Sequence, residues 1–357
     1  MPRTRVLVVD DSATVRKRLV ETLAGDPGID LVGEAEDGKQ AVEMCARHRP
    51  DVITMDMMMP VMSGLAATEY IMAHQPTPIL IVSASLNRGE LFKIYDALAA
   101  GAVDVLDKPT GDEADGDWER RLLSTVKLVA KIKVITHPRA KLEARRLHLE
   151  ASAENRDARP SPAPIEVVAI GASTGGPGAV VEVIRRLPAR FQIPILVVVH
   201  MNAPFGSSFT DWLDAQLERP AATPENGTPV ASARGRVIVA PGGQHIVVRG
   251  GRMFLTLDAE RHSCRPSVDV LFETIAAEYG ASAAGCLLTG MGKDGALGLL
   301  KIRQSGGTTI AQDEATSTIY GMPREAAALG AAAHVLPLAE IGPWLAGLQG
   351  PTMEARQ

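Results

Sequence analysis

The second half of this chain is organised around the stretch Val167-Val168-Ala169-Ile170-Gly171-Ala172-Ser173-Thr174-Gly175-Gly176. Its four leading apolar residues are typical of a parallel strand that is covered on both faces and shows no polar alternation. A glycine-rich turn follows, and residues 178–187 have helical spacing. The pattern Gly171-x-Ser173-x-Gly175 is that of a nucleophile elbow, in which glycines allow a tight turn that lifts a serine hydroxyl clear of the sheet. Ser173 is therefore a candidate nucleophile.

Two further apolar runs supply possible partners for this serine. Residues 195–199 end at His200, and residues 286–289 lead into the segment that contains Asp294. Because the carboxyl ends of parallel strands meet at one edge of a sheet, the three side chains are expected to converge. A glycine-rich turn also fits a phosphate-binding loop, but neither Gly-x-Gly-x-x-Gly nor Gly-Lys-Ser/Thr occurs here. A nucleotide site is thereby disfavoured without being excluded.

The three residue types together predict a serine hydrolase that needs no cofactor. His200 would act as general base on Ser173, while Asp294 would fix the imidazole tautomer and stabilise its cation. Backbone amides near Met291 or after Ser173 would bind the oxyanion of an acyl transfer to water. The chain order Ser, His, Asp differs from that of the common hydrolase fold and favours a convergent triad. Three other histidines in this half are better read as structural, surface or loop residues: His245, His262 and His334.

Composition restricts the class of protein. The 357 residues suggest about two domains, and 46% hydrophobic with 22% charged residues describe a globular protein. A net charge of -5 and the absence of a basic stripe argue against nucleic-acid binding. Three scattered cysteines without a CxxC spacing predict neither a disulfide framework nor a zinc site. No apolar run is long enough for membrane insertion and no signal peptide precedes the first strand, so we expect a cytoplasmic protein.

The first half repeats strand-like runs, each followed by polar residues. The runs 6–9, 52–55, 79–82 and 103–106 alternate with helix-length segments and predict a doubly wound parallel sheet. The residues that follow these strands are Asp10 and Asp11, Asp56, Ser83, and Lys108 with Pro109. Three carboxylates in one crevice favour a bound Mg²⁺. Ser83 and Lys108 would bind phosphoryl oxygens while Asp56 accepts a phosphoryl group.

This ordered set resembles the receiver domain of two-component response regulators, over residues 4–122. The resemblance implies that a histidine kinase phosphorylates Asp56 and that Met58 supplies a backbone carbonyl to the metal. It departs at Val105, where many receivers have a switch aromatic, so signalling is expected to depend more on Ser83 and loop movement.

The segment after the receiver is predicted to be a helix tail and a flexible linker, residues 123–163. Apolar spacing indicates that a helix runs from Trp118 to Val134, and residues 158–164 are proline-rich. From residue 164 to about 350 strands and helices alternate again. We expect a hairpin there around Pro241-Gly242-Gly243.

Residues 164–350 resemble the catalytic domain of bacterial chemotaxis methylesterases, the CheB family. The matching segments are 171–176, 199–201, 265–269, 289–295, 311–313 and 321–324. The resemblance implies two doubly wound α/β domains, a flavodoxin-like receiver and a methylesterase domain with a serine triad. It carries the catalytic roles to Ser173, His200 and Asp294, and oxyanion or supporting roles to Thr174 and Met291.

The same resemblance implies the substrate and partners. The enzyme would demethylate glutamate methyl esters on cytoplasmic domains of methylated chemoreceptors, and would deamidate receptor glutamines, during adaptation in chemotaxis or a related receptor-array pathway. A histidine kinase would be the phosphodonor. The alternative is a receiver-controlled binding or adaptor protein whose second domain has no catalysis.

Overall fold

The computed structural model of the protein describes residues 3–84, 88–109, 116–132, 134, 164–201, 203–206 and 208–348. The chain divides into two units, Met1–Asp157 and Ala158–Gln357. Of the expected helix tail and flexible linker, 123–163, residues 135–163 lie outside the described residues. Within the described ranges, no helix combines the length and the apolar character needed to cross a membrane.

The first unit is a five-stranded parallel sheet with the strand order β2-β1-β3-β4-β5. The strands are β1 (Thr4–Val9), β2 (Ile29–Ala35), β3 (Val52–Met55), β4 (Ile79–Ser83) and β5 (Asp104–Asp107). The helices are α1 (Ala13–Ala24), α2 (Gly38–His48), α3 (Gly64–His74), α4 (Arg88–Ala99) and α5 (Asp117–Val129). This is the flavodoxin-like order, in which the strand order reverses between β1 and β3 although all strands are parallel.

Local sequence explains these elements. Every residue of β3 and β4 is buried, which accounts for their unbroken apolar character. The first three helices begin after an N-cap side chain that accepts a hydrogen bond from the first turn: Ser12, Asp37 and Ser63. Helix α5 ends at Val129 rather than near Val134 as predicted, so that prediction was about one turn too long.

The second unit contains a seven-stranded parallel sheet with the order β15-β14-β13-β6-β7-β10-β8 and a three-stranded antiparallel sheet with the order β11-β12-β9. The strands are β6 (Val167–Ala172), β7 (Ile195–Val199), β8 (Ala221–Ala222), β9 (Thr228–Pro229), β10 (Val237–Val239), β11 (His245–Arg249), β12 (Arg252–Thr256), β13 (Ala283–Leu287), β14 (Thr308–Gln312) and β15 (His334–Leu336).

Seven α-helices accompany these sheets in the part of the unit that the structure describes. They are α6 (Gly176–Arg185), α7 (Ala203–Gly206), α8 (Phe209–Gln216), α9 (Val268–Tyr279), α10 (Ala296–Gln304), α11 (Met322–Ala328) and α12 (Leu338–Ala346). Strands β7 and β10 extend the sheet on one side of β6, and β13, β14 and β15 extend it on the other. The strand order therefore reverses between the parallel neighbours β6 and β13, which opens a crevice at their carboxyl ends.

The hairpin expected around Pro241–Gly243 is wrong. Strand β10 pairs in parallel with β7, whereas β11 belongs to the small sheet and pairs with β12. The hairpin turn lies instead at Gly250 and Gly251, whose φ angles of 55° and 66° suit a two-residue turn. The two candidate turns are Gly242-Gly243 and Gly250-Gly251. Only the second is a two-residue loop between strands that pair with each other.

The third apolar run was also misplaced by a few residues, because β13 begins at Ala283 and ends at Leu287. A side chain at Gly285 would come within 2.7 Å of both Leu299 and Ile302 of α10. Small residues at the start of β13 therefore allow α10 to pack closely, and this removed the bulky apolar signal that marks a buried strand.

Candidate active site

The predicted triad residues lie where the strand order of the second unit reverses. Ser173 follows β6 and His200 follows β7, and these two strands are paired through Ala172 and Val199. The backbone N–H of His200 donates to the carbonyl of Ala172 at 3.0 Å. On the other side, the N–H of Ser173 donates to the carbonyl of Thr289 at 3.0 Å. The sheet therefore fixes the backbone of the serine between the two segments that lead to its expected partners.

Asp294 is held at the amino terminus of α9. Its Oδ1 accepts hydrogen bonds from the hydroxyl of Ser267 at 2.8 Å and from the N–H of Asp269 at 3.1 Å, and its Oδ2 accepts one from the N–H of Val268 at 2.7 Å. A helix amino terminus favours a negative charge. Burial would raise the pKa of Asp294, but His200 and these donors outweigh it and lower the pKa. Asp294 is therefore a buried, ionised anchor.

His200 is oriented by this carboxylate. Its Nε2 lies 2.8 Å from Oδ2 of Asp294, and because an ionised carboxylate only accepts, Nε2 carries the proton. The lone pair of the neutral ring is then on Nδ1, which lies 3.7 Å from Sγ of Cys264. Burial lowers the pKa of His200, but Asp294 and Cys264 outweigh that effect and raise the pKa to about 9. Nδ1 is thus the basic atom of the site.

Ser173 is confined by close backbone packing. A Cβ at Gly290 would come within 2.7 Å of the Cβ of Ser173, so only glycine fits beside it. Within the described part of the chain, the Ser173 hydroxyl makes no hydrogen bond. The transfer of its proton to Nδ1 therefore requires the two groups to approach, as is common in enzymes without substrate.

Two backbone amides near Ser173 are available to an oxyanion. Among the described residues, the N–H groups of Thr174 and Met291 have no protein acceptor. The hydroxyl of Thr289 donates to the carbonyl of Thr174 at 3.0 Å and accepts from the N–H of Ile319 at 2.9 Å, which fixes this turn. Met291 is exposed and its side chain has no hydrogen-bond donor, so it is the backbone N–H of Met291 that suits the oxyanion.

The remaining histidines have other partners. His245 is fully buried, with one ring nitrogen 3.2 Å from the carbonyl of Ala259 and the other accepting from the N–H of Ser267. His334 lies against the ring of Trp344 on the last strand. His262 lies 3.1 Å from the carboxylate of Asp269. Of the four histidines considered, His200 is the one hydrogen-bonded to Asp294.

Sequence reasoning assigned no role to Cys264, Ser267 or Asp269, although the structure places all three at the site. Ser267 caps α9 and donates to Asp294, and the buried Asp269 accepts from the N–H of Gly298 and so ties α9 to α10. Ser267 accepts a hydrogen bond from the N–H of Val270, three residues further on. A serine at this position before a helical segment is an N-cap signal, and the sequence offered it for Ser267. No local pattern pointed to Cys264, because its contact with His200 spans 64 residues.

The acidic residues of the first unit also meet where strand order reverses. Asp10 follows β1 and Asp56 follows β3, and both are buried, whereas Asp11 is exposed. One carboxylate oxygen from each lies within 4.8 Å of the other two. Nζ of Lys108 lies 2.9 Å from Asp10 and 3.0 Å from Asp56. One ammonium therefore faces two buried carboxylates.

This acidic pocket suits a cation. Burial raises the pKa of Asp56 to about 6, since the charge of Asp10 adds to burial and Lys108 offsets only part of it. The pKa of Asp10 is raised as well, chiefly by burial. Hard oxygen ligands with uncompensated negative charge are what Mg²⁺ prefers, so the residues present fit that ion.

The other residues predicted for this pocket lie at its edge. Ser83 is buried at the end of β4, and its carbonyl accepts from the N–H of Lys108 at 3.1 Å. Met58 follows Asp56 by two residues with an exposed side chain that contacts Lys93. The structure therefore brings Ser83 and Lys108 to the same edge of the sheet, formed by the carboxyl ends of its strands, as the acidic residues.

Comparison with known proteins identifies both units. Residues 168–345 match the CheB methylesterase family model, and residues 6–114 match the response regulator receiver domain. The protein-glutamate methylesterase/protein-glutamine glutaminase 2 of Anaeromyxobacter dehalogenans is 42% identical over 338 residues, which is 94% of each chain. The corresponding protein of Pyrococcus abyssi is 39% identical over 345 residues, covering 95% of this chain and 92% of that one.

Among solved structures, the CheB methylesterase catalytic domain of Thermotoga maritima is 36% identical and is covered completely by 52% of this chain, with a TM-score of 0.49. The curated relatives align with this chain over nearly their full length, so they share its order of receiver and catalytic domain. The chain belongs to the CheB methylesterase family.

Proposed function

We propose that the protein hydrolyses glutamate methyl esters on chemoreceptors, deamidates receptor glutamines, and is controlled by phosphorylation of Asp56. The observation that carries the proposal is the His200–Asp294 pair beside Ser173 at the switch point of the parallel sheet. The names of the relatives, protein-glutamate methylesterase and protein-glutamine glutaminase, supply the two substrates.

Hydrolysis begins with attack of the Ser173 hydroxyl oxygen on the ester carbonyl carbon, while Nδ1 of His200 takes the hydroxyl proton. Asp294 stabilises the imidazolium, and the N–H groups of Thr174 and Met291 bind the oxyanion. The proton on Nδ1 then passes to the departing methanol. Water attacks the acyl-enzyme by the same proton transfers and regenerates Ser173. A primary amide presents the same carbonyl, so glutamine loses ammonia by the same route.

The acidic pocket of the first unit is the control site. Asp56 accepts a phosphoryl group from a histidine kinase, while the hydroxyl of Ser83 and the ammonium of Lys108 bind its oxygens. Mg²⁺, when bound, neutralises charge on the phosphoryl and carboxylate oxygens. The residues that would hold it are Asp10, Asp11, Asp56 and the backbone carbonyl of Met58.

The alternative, a receiver-controlled binding protein without catalysis, is not favoured. A buried carboxylate with four hydrogen-bond partners, one of them a histidine, is costly to assemble without a use for it. The three donors from Ser267 and the start of α9 explain the carboxylate but not its 2.8 Å contact with His200. Catalysis explains why the chain has it.

The proposal is tested by measuring methanol released from methylated receptor, with and without a small acyl-phosphate donor and Mg²⁺. We expect release by the full chain to increase with the donor, and the increase to vanish in Asp56→Asn while basal release persists. Absence of methanol under every condition would disprove the esterase. Equal release with and without donor would leave the esterase but disprove control at Asp56.

A further inference from the structure

Among the described residues, Cys264 contacts Nδ1 of His200, the basic nitrogen of the ring. Sγ of Cys264 lies 3.7 Å from Nδ1, and Asp294 occupies the other ring nitrogen. A thiol and an imidazole nitrogen are two of the ligands that zinc prefers. The pair comes from distant segments, one at the end of β7 and the other in the loop before α9, which is why cysteine spacing in the sequence gave no sign of it.

The separation of the two atoms matches that in a zinc site. With Zn–N near 2.05 Å and Zn–S near 2.3 Å at a tetrahedral angle, the nitrogen and sulfur lie about 3.6 Å apart. The pair here is separated by 3.7 Å. An ion could therefore bridge Nδ1 and Sγ with almost no movement of either residue.

The surroundings of His200 favour such an ion as well. Metal-binding histidines characteristically donate their other ring N–H to a carboxylate, which fixes the ring and the tautomer. Asp294 does this at 2.8 Å. His200 has 13% of its side chain exposed and Cys264 is half-buried, so solvent can deliver the ion and complete its coordination.

We propose that Nδ1 of His200 and Sγ of Cys264 form a binding site for a soft divalent cation of the zinc class, and that occupation of this site inhibits hydrolysis. On binding, the Cys264 thiol and, where it is protonated, Nδ1 of His200 release their protons to solvent, and the thiolate and the neutral imidazole coordinate the ion. The lone pair that would accept the Ser173 proton is then engaged. Inhibition of hydrolysis rests on the proposed function, whereas binding of the ion does not.

The test uses the full chain with Co²⁺ as a coloured substitute and with Zn²⁺ as inhibitor. Co²⁺ bound to a thiolate gives a sulfur-to-metal charge-transfer band, which an all-oxygen site such as the acidic pocket does not. We expect one equivalent of this band in the parent protein, displaced by Zn²⁺, and absent from Cys264→Ser. Cys45→Ala is the matched control and keeps the band, because Cys45 is buried in the other unit and burial raises the pKa of its thiol.

Inhibition by Zn²⁺ is measured on each variant relative to its own metal-free rate. The concentration for half inhibition should rise at least about tenfold in Cys264→Ser, as expected when metal ligation is impaired. No thiolate band in the parent, a band retained in Cys264→Ser, or equal Zn²⁺ sensitivity of the two proteins would each overturn the proposal. Cys264→Ala and a thermal unfolding curve identify any loss due to misfolding. If no ester hydrolysis is found, the cobalt band still tests the site.

Discussion

The two parallel sheets of this protein place their functional side chains at the same position, where the strand order reverses, but they treat a buried carboxylate in opposite ways. Asp294 of the second unit accepts four hydrogen bonds, three of them from Ser267 and the start of α9, and its pKa is lowered. Asp56 of the first unit accepts one backbone N–H, faces Lys108 and a second buried carboxylate, and has its pKa raised to about 6.

This difference distinguishes a site completed by the protein from one that requires added components. Asp294 has its charge satisfied internally, so it holds His200 in a fixed orientation. Asp56 and Asp10 share one ammonium, and the shortage of positive charge favours a cation. In the proposed function, the corresponding edges of the two sheets therefore serve different purposes: a constant catalytic group in the second unit and an exchangeable phosphoryl group in the first.

The largest expected effect is that of removing the nucleophile. Ser173→Ala should lower turnover of methyl ester by about a million-fold, as for other serine hydrolases. Methanol release from methylated receptor measures this, and Ser305→Ala, at an exposed serine at the end of α10, is the control that should keep the parent rate. Near-normal turnover in Ser173→Ala would disprove the triad.

The next effect tests the internally completed carboxylate. Asp294→Asn should reduce turnover by about ten-thousand-fold. The amide has one oxygen for four donors and no charge to stabilise the imidazolium, so His200 is left in the wrong tautomer. Single-turnover methanol release measures it. A loss below tenfold in a variant whose unfolding midpoint is unchanged would show that Asp294 does not orient His200.

The third effect is a pH dependence. His200 must be neutral to accept a proton, and its pKa is raised to about 9. Below that pH the fraction of neutral ring falls, so kcat/KM should decrease by about tenfold per pH unit as pH falls from 9. Cys264→Ala removes one contribution that raises the pKa and should move the midpoint to lower pH. A profile that is flat from pH 6 to 9 would contradict this electrostatic description.

The smallest effect tests the incomplete site. Mg²⁺ at ten times its Kd should stabilise the first unit by about 1.4 kcal/mol, measured by thermal unfolding of the full chain. The gain should fade as pH falls through about 6, because protonated Asp56 no longer attracts the ion. At the same Mg²⁺ concentration, Asp11→Asn should reduce this stabilisation, whereas Asp30→Asn, at an exposed position on β2, should leave it unchanged. Equal stabilisation in both variants would place the ion elsewhere.

Sequence alone predicted much of this fold because buried parallel strands are unbroken apolar runs. Strands β3, β4, β6 and β7 were found in this way. The start of β13 was missed since close packing of α10 requires small residues there. The hairpin was misplaced because two Gly-Gly turns looked equivalent locally, and only pairing between distant strands separates them.

The site was predictable to a similar extent and for a related reason. Ser173 and His200 directly follow strands, so the rule that chemistry collects at strand ends finds them. Asp294 lies seven residues beyond the end of β13 and was assigned through the segment around it. Cys264 and Ser267 reach the triad from the loop before α9, and no spacing in the sequence encodes that contact.

In the proposed function Ser173, and not the cysteine beside His200, forms the covalent intermediate. This assignment is tested by mixing the full chain with a methylated receptor peptide, quenching with acid during the first turnover, and mapping the acyl adduct by mass spectrometry. We expect the glutamyl group on the peptide that contains Ser173, with one methanol released per adduct. An adduct on the peptide that contains Cys264, or methanol release without any adduct on Ser173, would contradict the account.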